Sequence, residues 1–223
     1  ARADTLYWPF GLAFIAGWFY VADTGNRRVL GWRGPPAPGQ PADLVLGQPD
    51  AVSRDENRGG PPGPASFRWP HSLAGDADTL WVADAGNHRV LAWSPPPAED
   101  RPADLVLGQD DMATAQELAY FAQGPSRQRF PYAIAFEGGA LTVADTANNR
   151  ILRWAVAPRG GPNAPADLVL GQADFAGNGE NRWKAVADDT FCWPYGICLH
   201  RGRLAVADSG NNRVMIWAPD GAL

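Results

Sequence analysis

Four aspartates in one recurring context are the residues of this 223-residue chain that first suggest chemistry. Asp23, Asp84, Asp145 and Asp208 each close a Val-Ala-Asp triplet, at steps of 61, 61 and 63 residues. Each is followed five residues later by an arginine: Arg28, Arg89, Arg150 and Arg213. A ring of carboxylates binds cations when its members converge, because hard cations need several oxygen ligands at close range. Placed directly before tight turns, the same side chains serve instead as turn anchors, since an Asp accepts backbone N–H groups two or three residues on. A residue needed identically in every unit is one that holds each unit together, so the Asp and Arg sets are assigned to the scaffold. Asp50, Asp111 and Asp174, two residues after each Gln of a Leu-Gly-Gln triplet, are expected to cap turns too.

Two further sets lie in regions where the repeats differ. Glu56, Glu117 and Glu180 each stand 13 residues before the aromatic residue of an aromatic-Pro pair. Three equivalent carboxylates would line an entrance or hold a cation if they converged; otherwise each faces solvent or pairs with an Arg. Directly after the proline of each pair come Phe10, His71, Tyr132 and Tyr195. Apolar rings with a few polar tips suit a small pocket, and ordinary packing is the competing reading. His71 has the chemistry of a general base or a metal ligand, but no second His occupies an equivalent position. No cofactor is predicted, and a Ca or Zn ion in a central channel is the one cation left open. No Gly-x-Ser-x-Gly elbow or phosphate-cradling loop is present.

These residues are carried by a unit that repeats four times, which decides architecture before any local reading. Trp8-Pro9, Trp69-Pro70, Phe130-Pro131 and Trp193-Pro194 open the units. Proline fits the first position of a strand, where no ladder donor is needed. A short apolar strand, the Val-Ala-Asp strand, a turn (TGNR, AGNH, TANN, SGNN) and a strand ending in Trp32, Trp93, Trp154 or Trp217 follow. The segment ADLVLGQ, at 42–48, 103–109 and 166–172, supplies a fourth strand. Short apolar runs between regular turns mark an antiparallel all-β repeat. Such units bury their faces by radial arrangement, as blades. The recurring Trp residues, those before proline included, are read as packing between blades.

The segments VADTGNRRVLGW, VADAGNHRVLAW, VADTANNRILRW and VADSGNNRVMIW resemble NHL repeats. The resemblance covers all four units and implies a β-propeller of about 61 residues per blade, with units at 8–68, 69–129, 130–192 and 193–223 in one domain. The family includes sensors, protein- and RNA-binding scaffolds and a few metal-dependent lyases, so it implies the fold more firmly than an activity. The multiple channel histidines of those lyases are not reproduced. The fourth unit carries no ADLVLGQ, so its blade is expected to lack the outer strand; the alternative is a segment of a larger, for example six-bladed, propeller.

Composition narrows the function classes. A net charge of −5, with one Lys among nineteen basic residues, gives no dense basic footprint for nucleic acid. No apolar run approaches the length of a membrane span. Cys192 and Cys198 read as two small buried thiols or, in an oxidising compartment, a disulfide. From each Leu-Gly-Gln to the next aromatic-Pro pair runs a loop of constant length and divergent sequence, and 112–123 within the middle loop has the composition of a short helical turn. Varied loops on a rigid scaffold are where recognition resides. The expected function is a non-catalytic scaffold that binds a protein partner, or itself, through these loops or through the open edge strand of the last blade. The alternative is a metal-dependent lyase or hydrolase with its site at the channel mouth.

Overall fold

Proline at the head of each unit and a left-handed residue at each turn divide the chain into short antiparallel strands. The computed structural model describes residues 1–161 and 163–217. The first sheet runs β1 (Pro9–Ile15), β2 (Trp18–Asp23), β3 (Arg28–Arg33) and β4 (Leu44–Leu46), hydrogen-bonded in that order. The second repeats it with β5 (Pro70–Gly75), β6 (Leu80–Asp84), β7 (Arg89–Trp93) and β8 (Leu105–Leu107). The third comprises β9 (Pro131–Glu137), β10 (Ala140–Asp145), β11 (Arg150–Trp154) and β12 (Leu168–Leu170). The fourth has three strands among the described residues: β13 (Pro194–His200), β14 (Arg203–Asp208) and β15 (Arg213–Trp217). These are the four blades of an all-β propeller. The expected open edge is β15.

The first strands β1, β5, β9 and β13 are innermost, each packed beside the next. No comparable packing joins β13 to β1. Three apolar joints hold the blades together. Tyr20, Val29 and Leu46 of blade 1 meet Phe67, Leu80 and Trp93. Trp81, Val90 and Leu107 of blade 2 meet Ile134, Leu141 and Trp154. Ala144 and Ile151 of blade 3 meet Phe191, Leu204 and Val206, with Met215 and Trp217 packed against them. Trp93, Trp154 and Trp217 therefore each lie on the side of their blade that faces the preceding unit, as inter-blade packing requires, whereas Trp32, on the equivalent side of blade 1, packs only within its own blade.

The Leu-Gly-Gln triplet has a geometric role in these joints. Gly47 and Gly171 have φ of +93° and +89°, and a Cβ at either would strike the ring of Phe67 or Phe191 arriving from the next blade. Glycine is required on both counts. The following Gln side chain then pins the departing loop: Gln48 Nε2 donates to the carbonyls of Arg27 and Asp55, and Gln172 Nε2 to those of Asn149 and Gly179. The Asp of ADLVLGQ accepts the backbone N–H at or just after the end of the third strand, as Asp43 does from Arg33 and Asp104 from Ser94.

Two local expectations are corrected. The segment 112–123 forms no helical turn. Gln109 bonds to the backbone of Gln116, and Gln123 to the carbonyls of Leu118 and Phe121, so side chains hold an irregular path that a helix would not allow. The equivalent loops on either side each carry a short 3-10 turn, at Glu56–Gly59 and Glu180–Trp183, in addition to the one between the second and third strands of every blade. Cys192 and Cys198 are free thiols, and Cys198 is exposed rather than buried.

Candidate functional site

The Asp and Arg sets lie at the turn between the second and third strands of each blade. In blade 2, Arg89 Nε donates to Asp84 Oδ2 at 2.9 Å, and Asn87 Nδ2 donates to the same oxygen at 2.7 Å. Asp84 Oδ1 takes the backbone N–H of Arg68, ahead of the inner strand. The carboxylate thus ties three segments of one blade instead of capping the turn's own backbone, which receives no side-chain cap. Asp23, Asp145 and Asp208 repeat the arrangement with Arg28, Arg150 and Arg213, each at 2.7 Å. The remaining guanidinium donors reach loop carbonyls, as Arg89 does at Met112, Gly63 and Ser66. Asp50, Asp111 and Asp174 do cap their turns; Asp50 accepts from the backbone of Val52 and Ser53, which holds its carboxyl below the usual range.

The three loop glutamates take separate local partners. Glu56 lies between Arg27 and Arg68 at 3.6 and 3.2 Å. Glu117 accepts from Arg129 at 2.7 Å and lies 3.9 Å from His88. Glu180 accepts the indole N–H of Trp193 at 3.0 Å. Among the described residues no group of three His, Cys, Asp or Glu side chains is placed to hold a metal ion.

The ring residues, by contrast, do come together. Phe10, His71, Tyr132 and Tyr195 sit side by side at the start of the four inner strands, with successive ring centroids 4.3, 4.5 and 4.7 Å apart. Burial pushes the His71 imidazole down to about 4, so it is neutral at pH 7, and burial with Tyr195 alongside pushes the Tyr132 phenol up to about 12. The same four rings line a cavity of about 510 Å³ together with Tyr7, Trp8, Trp69, Thr24, Arg27 and Glu56. A neutral imidazole between aromatic rings, with one carboxylate held by two guanidinium groups, suits contact with a ligand's apolar and planar parts.

The profile of the NHL repeat family matches residues 191–217, which hold the opening aromatic-Pro pair, the three strands and the Asp208–Arg213 turn. The fourth unit is an NHL repeat. Blades 1 to 3 share its strand order, its turn and its Asp–Arg pair. Comparison with curated proteins finds no match. Among solved structures, a putative 6-phosphogluconolactonase from Bacteroides uniformis is similar at a TM-score of 0.52 and 13% identity, over 96% of this chain and 54% of that one. Hydrazine synthase from Kuenenia stuttgartiensis gives 0.51 and 11%, over 92% and 43%. The chain thus spans about half the length of these two structures. At such identities the likeness bears on the fold alone.

The tryptophans of this propeller fall into two classes that the sequence pattern does not separate. Those ending the third strands are packing residues, but Trp8, Trp69 and Trp193, before the prolines, line surface cavities at the loop-rich face. Trp8 is 68% exposed. Trp183, Tyr120 and Phe121, on the loops, are exposed around the same face. Trp8, Trp193, Trp183 and Tyr120 all have positive φ, between 50° and 66°. A bulky residue in that conformation is held against its preference, at about 1–3 kcal/mol each. The available cue was local: Trp followed by Pro begins a strand at the rim, whereas Trp after Arg-Val-Leu ends one inside a joint.

Proposed function

We propose that this NHL propeller is a binding scaffold whose loop-rich face receives a protein partner, with the channel-mouth rings at its centre. The observation that carries this reading is the set of exposed aromatics, Trp8, Tyr120, Phe121, Trp183 and Trp193, arranged around that mouth on backbone that holds several of them in left-handed conformations. Contiguous exposed apolar surface rimmed by polar groups marks interaction sites, and Trp and Tyr are the residues that dominate interface energy. Charged groups on the face are paired into the rim, as in Arg27–Glu56–Arg68 and Arg129–Glu117. Such pairs set orientation more than affinity.

The test is affinity capture on immobilised protein from its native extract, compared with the Trp8→Ala/Trp183→Ala double variant and quantified by mass spectrometry. Both side chains are solvent-exposed, so the fold should persist, which circular dichroism checks. The proposal expects specific proteins retained by the native surface and depleted at least tenfold on the variant. Identical capture by the two surfaces would contradict it.

A further inference from the structure

The two outer flanks of the blade array, one on blade 1 and one on blade 4, carry the residues that form the joints elsewhere. On blade 1, Leu12 is 70% exposed, whereas Leu73, its equivalent in blade 2, is 7% exposed. Leu6 and Phe14 are exposed beside it, at the edge of a cluster formed by Val21, Leu30 and Trp32 with Phe19. Leu6 holds the position of Phe67 and Phe191, the rings that plug the internal joints. On blade 4, Ile216 is 68% exposed, whereas its equivalent Ala92 is 2% exposed under blade 3. Val214 is exposed as well, while its equivalent Val90 is fully buried. Cys198, at the position of Ala74, lies exposed on the same strand face.

Each internal joint mates the trailing flank of one blade with the leading flank of the next, which is Leu- and aromatic-rich; the trailing side carries Ala22 and Val29, Ala83 and Val90, or Ala144 and Ile151, with Tyr20 beside the first pair and Trp81 beside the second. Among the described residues, the trailing flank of blade 4 and the leading flank of blade 1 are bare. The two do not meet among the described residues, since Leu12, Val214 and Ile216 are all exposed and no packing comparable to that of the other inner strands joins β13 to β1. We propose that they meet between chains: blade 4 of one copy docks on blade 1 of a second copy, head to tail, continuing the joint that recurs three times inside the molecule. Such a contact is heterologous, since two different patches mate. Large exposed apolar patches of this kind mark association surfaces on otherwise monomeric folds. The contact uses the sides of the blades and is independent of the aromatic face proposed to bind a partner.

The experiment is sedimentation velocity of the purified chain from about 1 to 100 µM, with two variants that place charge only on side chains exposed in the single copy. Leu12→Glu/Phe14→Glu blocks the leading flank, and Val214→Lys/Ile216→Lys blocks the trailing flank. The native chain is expected to rise with concentration from 23.9 kDa to at least twice that mass. Each variant alone should stay monomeric, and an equimolar mixture should recover a species of twice the single-chain mass, because one intact flank of each kind remains. The rate of Cys198 alkylation should fall at least threefold in the native chain over the same concentration range. A native chain monomeric throughout, a blocked variant that still associates alone, or a mixture that stays monomeric would each overturn the proposal.

Discussion

Blades 2 and 3 are enclosed on both flanks, while blades 1 and 4 are each enclosed on one, and the same sequence motif behaves differently according to which flank is covered. The Asp–Arg pair follows the trailing flank: it is fully buried in blade 1, whose trailing flank is covered by blade 2, as it is in blades 2 and 3, and only blade 4 differs. The guanidinium groups of Arg28, Arg89 and Arg150 are fully buried, and each has a third anchor beyond the fourth strand: Ala51, Met112 or Phe175. Arg213 keeps its Asp208 partner and the carbonyls of Ala187 and Thr190 but is 26% exposed. One residue pattern thus supplies a buried, fully bonded ion pair in a covered blade and a partly solvated one in the last. Burial by the neighbour, not the motif, sets how much each pair contributes.

The largest separation between the settings is expected from breaking that pair. Arg89→Ala leaves the Asp84 carboxylate buried without its cation and should cost about 3–5 kcal/mol in urea unfolding. Arg213→Ala should cost less, because the Arg213 side chain is 26% exposed although Asp208 itself is buried, and equal losses would show that this exposure does not weaken the pair. Core truncation comes next. Leu91→Ala, in the joint between blades 1 and 2, should cost about 2–5 kcal/mol. Ile216→Ala, on the bare flank, should stay within about 0.5 kcal/mol, measured at a dilution where chains do not associate.

The smallest effect concerns acid. Burial pushes His71 and His88 down to about 4, with Glu117 partly opposing the shift at His88. Both take up protons more readily when unfolded, at their ordinary value near 6.5. Their contribution to stability is therefore complete above about pH 6.5 and is lost as pH falls toward 4. His88→Asn should reduce the steepness of that loss while keeping the turn, since Asn149 holds the equivalent left-handed position in blade 3. An unchanged pH profile would remove His88 from the account.

The scaffold was legible because its determinants are local and repeated. Trp-Pro, Val-Ala-Asp, Asn-x-Arg and ADLVLGQ each encode a strand end, a turn or a blade edge within a few residues, and the period exposes them together. The joint between Gly47 and Phe67 was not legible, because its partners lie in different blades and only the fold shows the ring against the glycine. The channel-mouth ring could be placed from its position after each proline, and the structure brings its four members together. The exposed tryptophans were missed because residue type alone does not tell a rim from a joint. The turn expected at 112–123 failed for a related reason, since composition carries no information about the Gln side chains that hold the loop.

Hydrogen exchange by mass spectrometry, at about 1 µM, measures the difference between covered and half-covered blades most directly. Amides of β6, β7, β10 and β11 should exchange only through global opening, with β1 and β15 exchanging at least tenfold faster through local opening. Uniform protection across all four blades would contradict the account, because it would mean that the outer flanks are enclosed in the single chain.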